Sequence, residues 1–147
     1  MFTRITLAAV AAALLLASGS AMAPAMAQDS IKARKDGFES TKKAMAEIKD
    51  LLSGDKVAPV GAVAQRVGAF AGQLPTLFPA GSDKGDTKAK SEIWANFGDF
   101  SEKAKNFETA AKALEATAAT GDKAATAKQF AALGGACKAC HERYRAD

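Results

Sequence analysis

The sequence predicts an all-α protein, an antiparallel four-helix bundle behind a cleavable export segment. Three observations lead there. Beyond residue 27 no stretch alternates apolar and polar residues over a useful length, as a half-buried strand would. Four segments instead repeat apolar residues at intervals of three and four, which puts them on one face of a helix. Helix-stopping residues fall between the segments: Gly54, Pro75 and Pro79, and Thr120-Gly121-Asp122. With 147 residues, 48% hydrophobic, 24% charged and only four prolines, the chain is sized for one globular domain and excludes a disordered or collagen-like class.

The first element is the export segment. Met1 to Arg4 carries one positive charge, Ile5 to Ala17 is apolar except for Thr6, and small residues lead to Ala25-Met26-Ala27. That order is a secretory signal peptide, residues 1–27, cut before Gln28. A membrane anchor is excluded by length, since an apolar helix of this size spans about 20 Å of a roughly 30 Å hydrocarbon core. Cleavage leaves residues 28–147, which is 147 − 27 = 120 residues destined for the periplasm. It removes Arg4 and no acid, so the balance of 20 Lys+Arg against 16 Asp+Glu becomes 19 − 16 = +3. The precursor's pI of 9.1 is therefore no argument for nucleic acid as a partner.

The first bundle segment carries Ile31, Arg34, Phe38, Thr41, Met45, Ile48 and Leu52 on one stripe, with Gly54 as the stop. The second starts beside Pro59, which suits a first helical turn, and runs Val60, Val63, Val67, Phe70, Leu74 and Leu77 until Pro75 and Pro79 bend or end it. Residues 79–91, rich in Gly, Asp, Ser and Lys, have no period and form a loop. The third segment aligns Phe97, Phe100, Ala104, Phe107, Ala111, Leu114 and Ala118; Gly121 stops it and Asp122 caps the next. The fourth carries Phe130, Leu133, Cys137, Cys140 and Tyr144. Helices of this length with short connections pack as a bundle, and an Ala-lined last helix leaves room for something large.

Cys137-Lys138-Ala139-Cys140-His141 is the pattern for covalent attachment of haem c. Residues three and four apart share a helical face, so two thiols can reach the two vinyl groups of one porphyrin while His141 stands beneath the iron as its axial ligand. Zinc would need a fourth ligand beyond two Cys and the only His. A dithiol redox pair is expected beside a βαβ unit, and neither it nor a disulfide explains a His directly after the second Cys. After residue 27 the only other strong axial-ligand type is Met45, which also fits an ordinary core position. A low-spin, six-coordinate electron carrier using Met45 or a lysine, and a haem-free helical interaction protein with a disulfide, stay as the competing readings.

The pentapeptide in the last helix of a bundle, followed by Tyr144-Arg145, together with Ser91-Glu92-Ile93-Trp94 and Arg34-x-x-x-Phe38, resembles the class II c-type cytochromes and most closely the cytochrome c′ family. The resemblance implies that Arg34 contacts a haem propionate, with Lys35 as a further polar contact. It implies that Phe38 covers the distal iron face where low-spin relatives carry a ligating Met, which leaves the iron five-coordinate and high-spin. Tyr144 would pack on the haem, Arg145 would stand beside His141, and Asp86 and Trp94 would belong to a haem-edge loop. It further implies electron transfer and binding of nitric oxide and carbon monoxide without a substrate-transforming site, a homodimer as the common assembly, and no particular redox partner protein.

Overall fold

The computed structural model describes residues 22–147. Four long helices, α1 (Met22–Ser53), α2 (Val60–Gln73), α4 (Phe97–Ala118) and α5 (Lys123–Tyr144), form the antiparallel bundle, and a one-turn α3 (Glu92–Ala95) stands between α2 and α4. Most of the expected export segment lies outside the described residues. Its last part, Met22 to Ala27, continues into α1 without a break, so the Ala27–Gln28 bond lies inside a helix.

Each boundary has a local cause. α1 ends at Ser53, directly before Gly54 as the sequence expects, and the residue that takes the left-handed backbone in the closing turn is Asp55 (φ 59°). Lys56 N–H then donates to Leu51 O at 2.8 Å and Asp55 N–H to Leu52 O at 3.3 Å, the paired closure of a Schellman turn, which Asp tolerates better than bulky residues. Pro59 precedes α2 with φ −71°. Pro75 does not bend α2 but tightens its end into a 3-10 turn, Leu74–Leu77. At the α4–α5 corner Gly121 has φ +74° and the Asp122 carboxylate accepts from Ala125 N–H at 2.9 Å, so both the stop and the cap fall where the sequence puts them.

The inward stripes become the core. Ile48, Val60, Val63, Val67, Phe100, Ala104, Phe107, Ala111, Leu114 and Leu133 are buried. Phe97 is an exception: expected on the inward stripe, it is 38% exposed. It is the first residue of α4, just after the chain reverses at Asn96 (φ −129°, ψ 45°), so the stripe has already run past the end of the bundle there. α2 and α4 pack most extensively, α4 and α5 next, whereas α1 and α5 barely touch. That unequal packing opens the bundle between α1 and α5.

Candidate functional site

A cavity of about 760 Å³ fills the gap between α1 and α5. Cys137, Cys140 and His141 line it from α5, and Arg34, Lys35, Phe38, Thr41 and Met45 line it from α1. Phe100, Ala104 and Phe107 of α4, Phe78, and Asp86 to Ala89 of the long loop complete the wall. The volume lies within the roughly 300–1,000 Å³ range of sites that enclose an organic ligand.

Phe38 and His141 approach each other within this space, edge to face, with ring centroids 6.0 Å apart. Phe38 is fixed from behind by Phe70, edge to face at 5.2 Å and 86°. That contact depends on Gly37: a Cβ there would stand 2.0 Å from the Phe70 ring, so only a residue without a side chain lets the ring reach α1. On the other flank Trp94, Phe78, Phe100 and Tyr144 follow one another in tilted and edge-to-face contacts, with centroid separations of 6.0, 4.7 and 5.5 Å. Trp94 itself stands behind the wall, its Nε1–H donating to Phe78 O and Pro79 O, so its ring supports Phe78 rather than facing the space.

Arg34 is 2% exposed. Its guanidinium donates to Leu77 O (3.1 Å), Ser82 Oγ (2.8 Å), Ser82 O (2.6 Å) and Thr87 Oγ1 (2.9 Å), and it sits 4.4 Å from the Phe78 ring centre. All four acceptors are neutral, and burial pushes its pKa down from the ordinary arginine value. A buried cation on neutral acceptors beside a cavity is an electrostatic invitation to an anion. The same hydrogen bonds fasten the loop between α2 and α3. Its far end is held by the C-terminus: Lys90 N–H donates to Tyr144 O at 3.0 Å and Ala146 N–H to Lys88 O at 2.8 Å.

Lys35 and Asp86 pair with each other at the cavity mouth, the lysine holding the carboxyl below its usual range through the hydrogen bond and then its charge. Tyr144 is buried, and its hydroxyl donates to Asp99. Burial first, and that bond second, push the phenol up to about 12. Arg145 is exposed and lies on the His141 side, its N–H donating to His141 O at 3.0 Å. Burial, and after it the Arg145 charge, hold the imidazole below its ordinary value, so His141 offers a neutral nitrogen at neutral pH. The two thiols are free and half-buried, and burial raises both.

These residues fit a covalently held porphyrin. Two thiols and one imidazole converge on one wall, a buried cation lines another, and the space is of the right order. Among the described residues no group of three or more His, Cys, Asp and Glu side chains gathers to hold a bare metal ion. Of the residues named from sequence, Arg34, Lys35, Phe38, Asp86, Cys137, Cys140, His141, Tyr144 and Arg145 line this one cavity, and Trp94 does not. Sequence reasoning missed Ser82 and Thr87, which hold Arg34, and Asp99, which holds Tyr144. Only the aperiodic loop composition hinted at the first two. Gly37 carried one signal, a small residue against the lid position Phe38.

A family model described as "Cytochrome C'" matches residues 29–145. The chain is 38% identical over 149 residues to cytochrome c′ of Allochromatium vinosum, covering 95% of this chain and 97% of that one. The crystal structure of cytochrome c′ from Thermochromatium tepidum superimposes with a TM-score of 0.77 at 38% identity, over 82% of this chain and 97% of the other. A second solved cytochrome c′, described as having an unusual ligand-controlled dimer dissociation, is similar at TM-score 0.77 and 37% identity over the same shares.

Proposed function

The chain belongs to the cytochrome c′ family and carries covalently bound haem c, and from that premise we propose that it is a periplasmic monohaem cytochrome whose iron is five-coordinate and high-spin. One observation carries the reading: the α1 side chain that approaches His141 is Phe38, which has no atom to donate to a metal. Met45 lies seven residues further along α1, about 10 Å by helix rise, so it is not opposite the imidazole. When bound, the haem supplies an iron that cycles between ferric and ferrous and takes a small ligand at its open position.

The chain's own residues define the rest. Cys137 and Cys140 hold the group by thioether bonds, and His141, kept neutral, holds the iron from one side. Phe38, propped by Phe70, supplies bulk without a hydrogen bond, which favours uncharged diatomics such as nitric oxide and carbon monoxide over anions and larger molecules. Arg34 binds a propionate while keeping the loop closed, and the Lys35–Asp86 pair borders the mouth. Arg145 stands next to His141 should that ligand be displaced. Electron transfer and gas binding, rather than conversion of a substrate, are the roles that an iron with one open position suits. Among the described residues no helix is long and apolar enough to cross a membrane, which supports a periplasmic rather than inserted protein once residues 1–27 are cut off. A homodimer that responds to ligand is supported by the relative with ligand-controlled dissociation.

The absorption spectrum in both oxidation states tests the proposal. Broad high-spin bands and a shift on adding carbon monoxide to the ferrous protein are expected. A sharp low-spin α-band with no response to carbon monoxide would instead assign the iron a second protein ligand.

A further inference from the structure

The cavity does not end at Phe38. It continues along α1 to Thr41 and Met45, with Phe107 and Ala136 contributing apolar wall. Thr41 is 8% exposed and is the buried polar side chain at this end, where Glu39 and Lys42 also border the cavity but are exposed. Elsewhere in the helices, buried or half-buried hydroxyls turn back onto the carbonyl four residues earlier: Thr117 donates to Ala113 O at 2.8 Å and Thr126 to Asp122 O at 2.6 Å. Thr41 makes no such bond to Gly37 O, and its hydroxyl has no protein partner among the described residues. Every fully enclosed side-chain nitrogen and oxygen there is satisfied, so the Thr41 hydroxyl reaches the cavity surface. A hydroxyl in apolar surroundings costs free energy until something accepts or donates a hydrogen bond.

Resting on the function proposed above, we propose that Thr41 Oγ1 is a ligand subsite: it donates a hydrogen bond to the outer atom of a diatomic molecule bound on the Phe38 side. The two residues are three positions apart, which puts them on one face of α1 about 4.5 Å apart along the axis. Phe38 sets how fast a ligand enters and Thr41 how long it stays. The pair makes the pocket selective for small molecules with a hydrogen-bond acceptor at the far end, and Thr41 gives the buried part of the α1 wall beyond Phe38 one directional contact.

The test uses the intact haem-loaded protein in its ferrous form with carbon monoxide as the probe. The infrared carbon–oxygen stretch, in water and in deuterium oxide, and the dissociation rate are measured for wild type, Thr41→Val and Thr41→Ser. Val keeps the shape and removes the hydroxyl, whereas Ser keeps the hydroxyl. Loss of the bond should raise the stretching frequency, abolish its deuterium sensitivity and speed dissociation about two- to tenfold, as removing one neutral hydrogen bond does. Thr41→Ser should stay near wild type. If all three proteins bind carbon monoxide with one frequency and one rate, the subsite is refuted while the five-coordinate reading stands. If wild type binds no carbon monoxide, both fall together.

Discussion

Arg34, Phe38 and Tyr144 divide the work at the residue scale. Arg34 spends its hydrogen bonds on a loop while its charge lies beside the cavity, Phe38 approaches His141 and is, on the proposed reading, the lid over the iron, and Tyr144 ties α5 to Asp99. Truncating the lid should open the pocket: in Phe38→Ala, carbon monoxide association measured by flash photolysis should be several-fold faster, and an unchanged rate would mean that the ring does not guard the iron. Tyr144 gives a cleaner readout because it is the only tyrosine in the chain. Its phenol, pushed up to about 12 by burial and by the bond to Asp99, binds its proton more tightly folded than unfolded, where the ordinary value is near 10. The stability it contributes is present below pH 10 and is lost as pH rises from 10 toward 12. Spectrophotometric titration should find the phenolate appearing near pH 12, and in Tyr144→Phe this part of the alkaline loss of stability should vanish. A midpoint near 10 would show that the hydroxyl is in water.

The elements matter for what they hold in register. α1 approaches α2 closely only because Gly37 leaves a notch for the Phe70 ring, and that ring in turn props Phe38. Gly37→Ala would gain helix propensity but force a methyl group into an aromatic ring. Overpacking should win, lowering stability in urea unfolding by about 1–3 kcal/mol and shifting the carbon monoxide kinetics as Phe38 moves. A more stable variant with unchanged kinetics would show that the ring swings away at no cost. At the other end of the bundle the Asp122 cap is far from the chemistry, so Asp122→Ala should cost about 1 kcal/mol of stability and leave ligand binding untouched.

Across the whole molecule, a bundle that packs tightly through α2, α4 and α5 but opens between α1 and α5 is built to enclose something that the side chains do not fill. The porphyrin completes the core as well as supplying the iron. A double variant, Cys137→Ser with Cys140→Ser, should therefore lose more than its absorption. Its melting temperature should fall, and hydrogen exchange should quicken first in the 79–91 loop and along α1, while α2 and α4 stay protected. Uniform loss of protection would indicate that the bundle has no haem-independent half.

The sequence by itself determined the helices, most of their ends and the cofactor. Helical period and helix stops are local properties, written every three or four residues, and the Cys137-to-His141 pentapeptide carries its geometry within a single turn. It placed Phe97 inside because a stripe does not reveal where the bundle ends, and although it stopped α1 correctly before Gly54 it did not show that Asp55 would take the left-handed turn, since either residue accepts it. Only the tertiary structure decided the rest: that Ser82 and Thr87 hold Arg34, that Trp94 backs the wall, that Asp99 meets Tyr144 and that Thr41 keeps a free hydroxyl at the cavity. Those contacts join residues 15 to 53 positions apart, or depend on what a neighbouring helix leaves empty, and no local pattern encodes either.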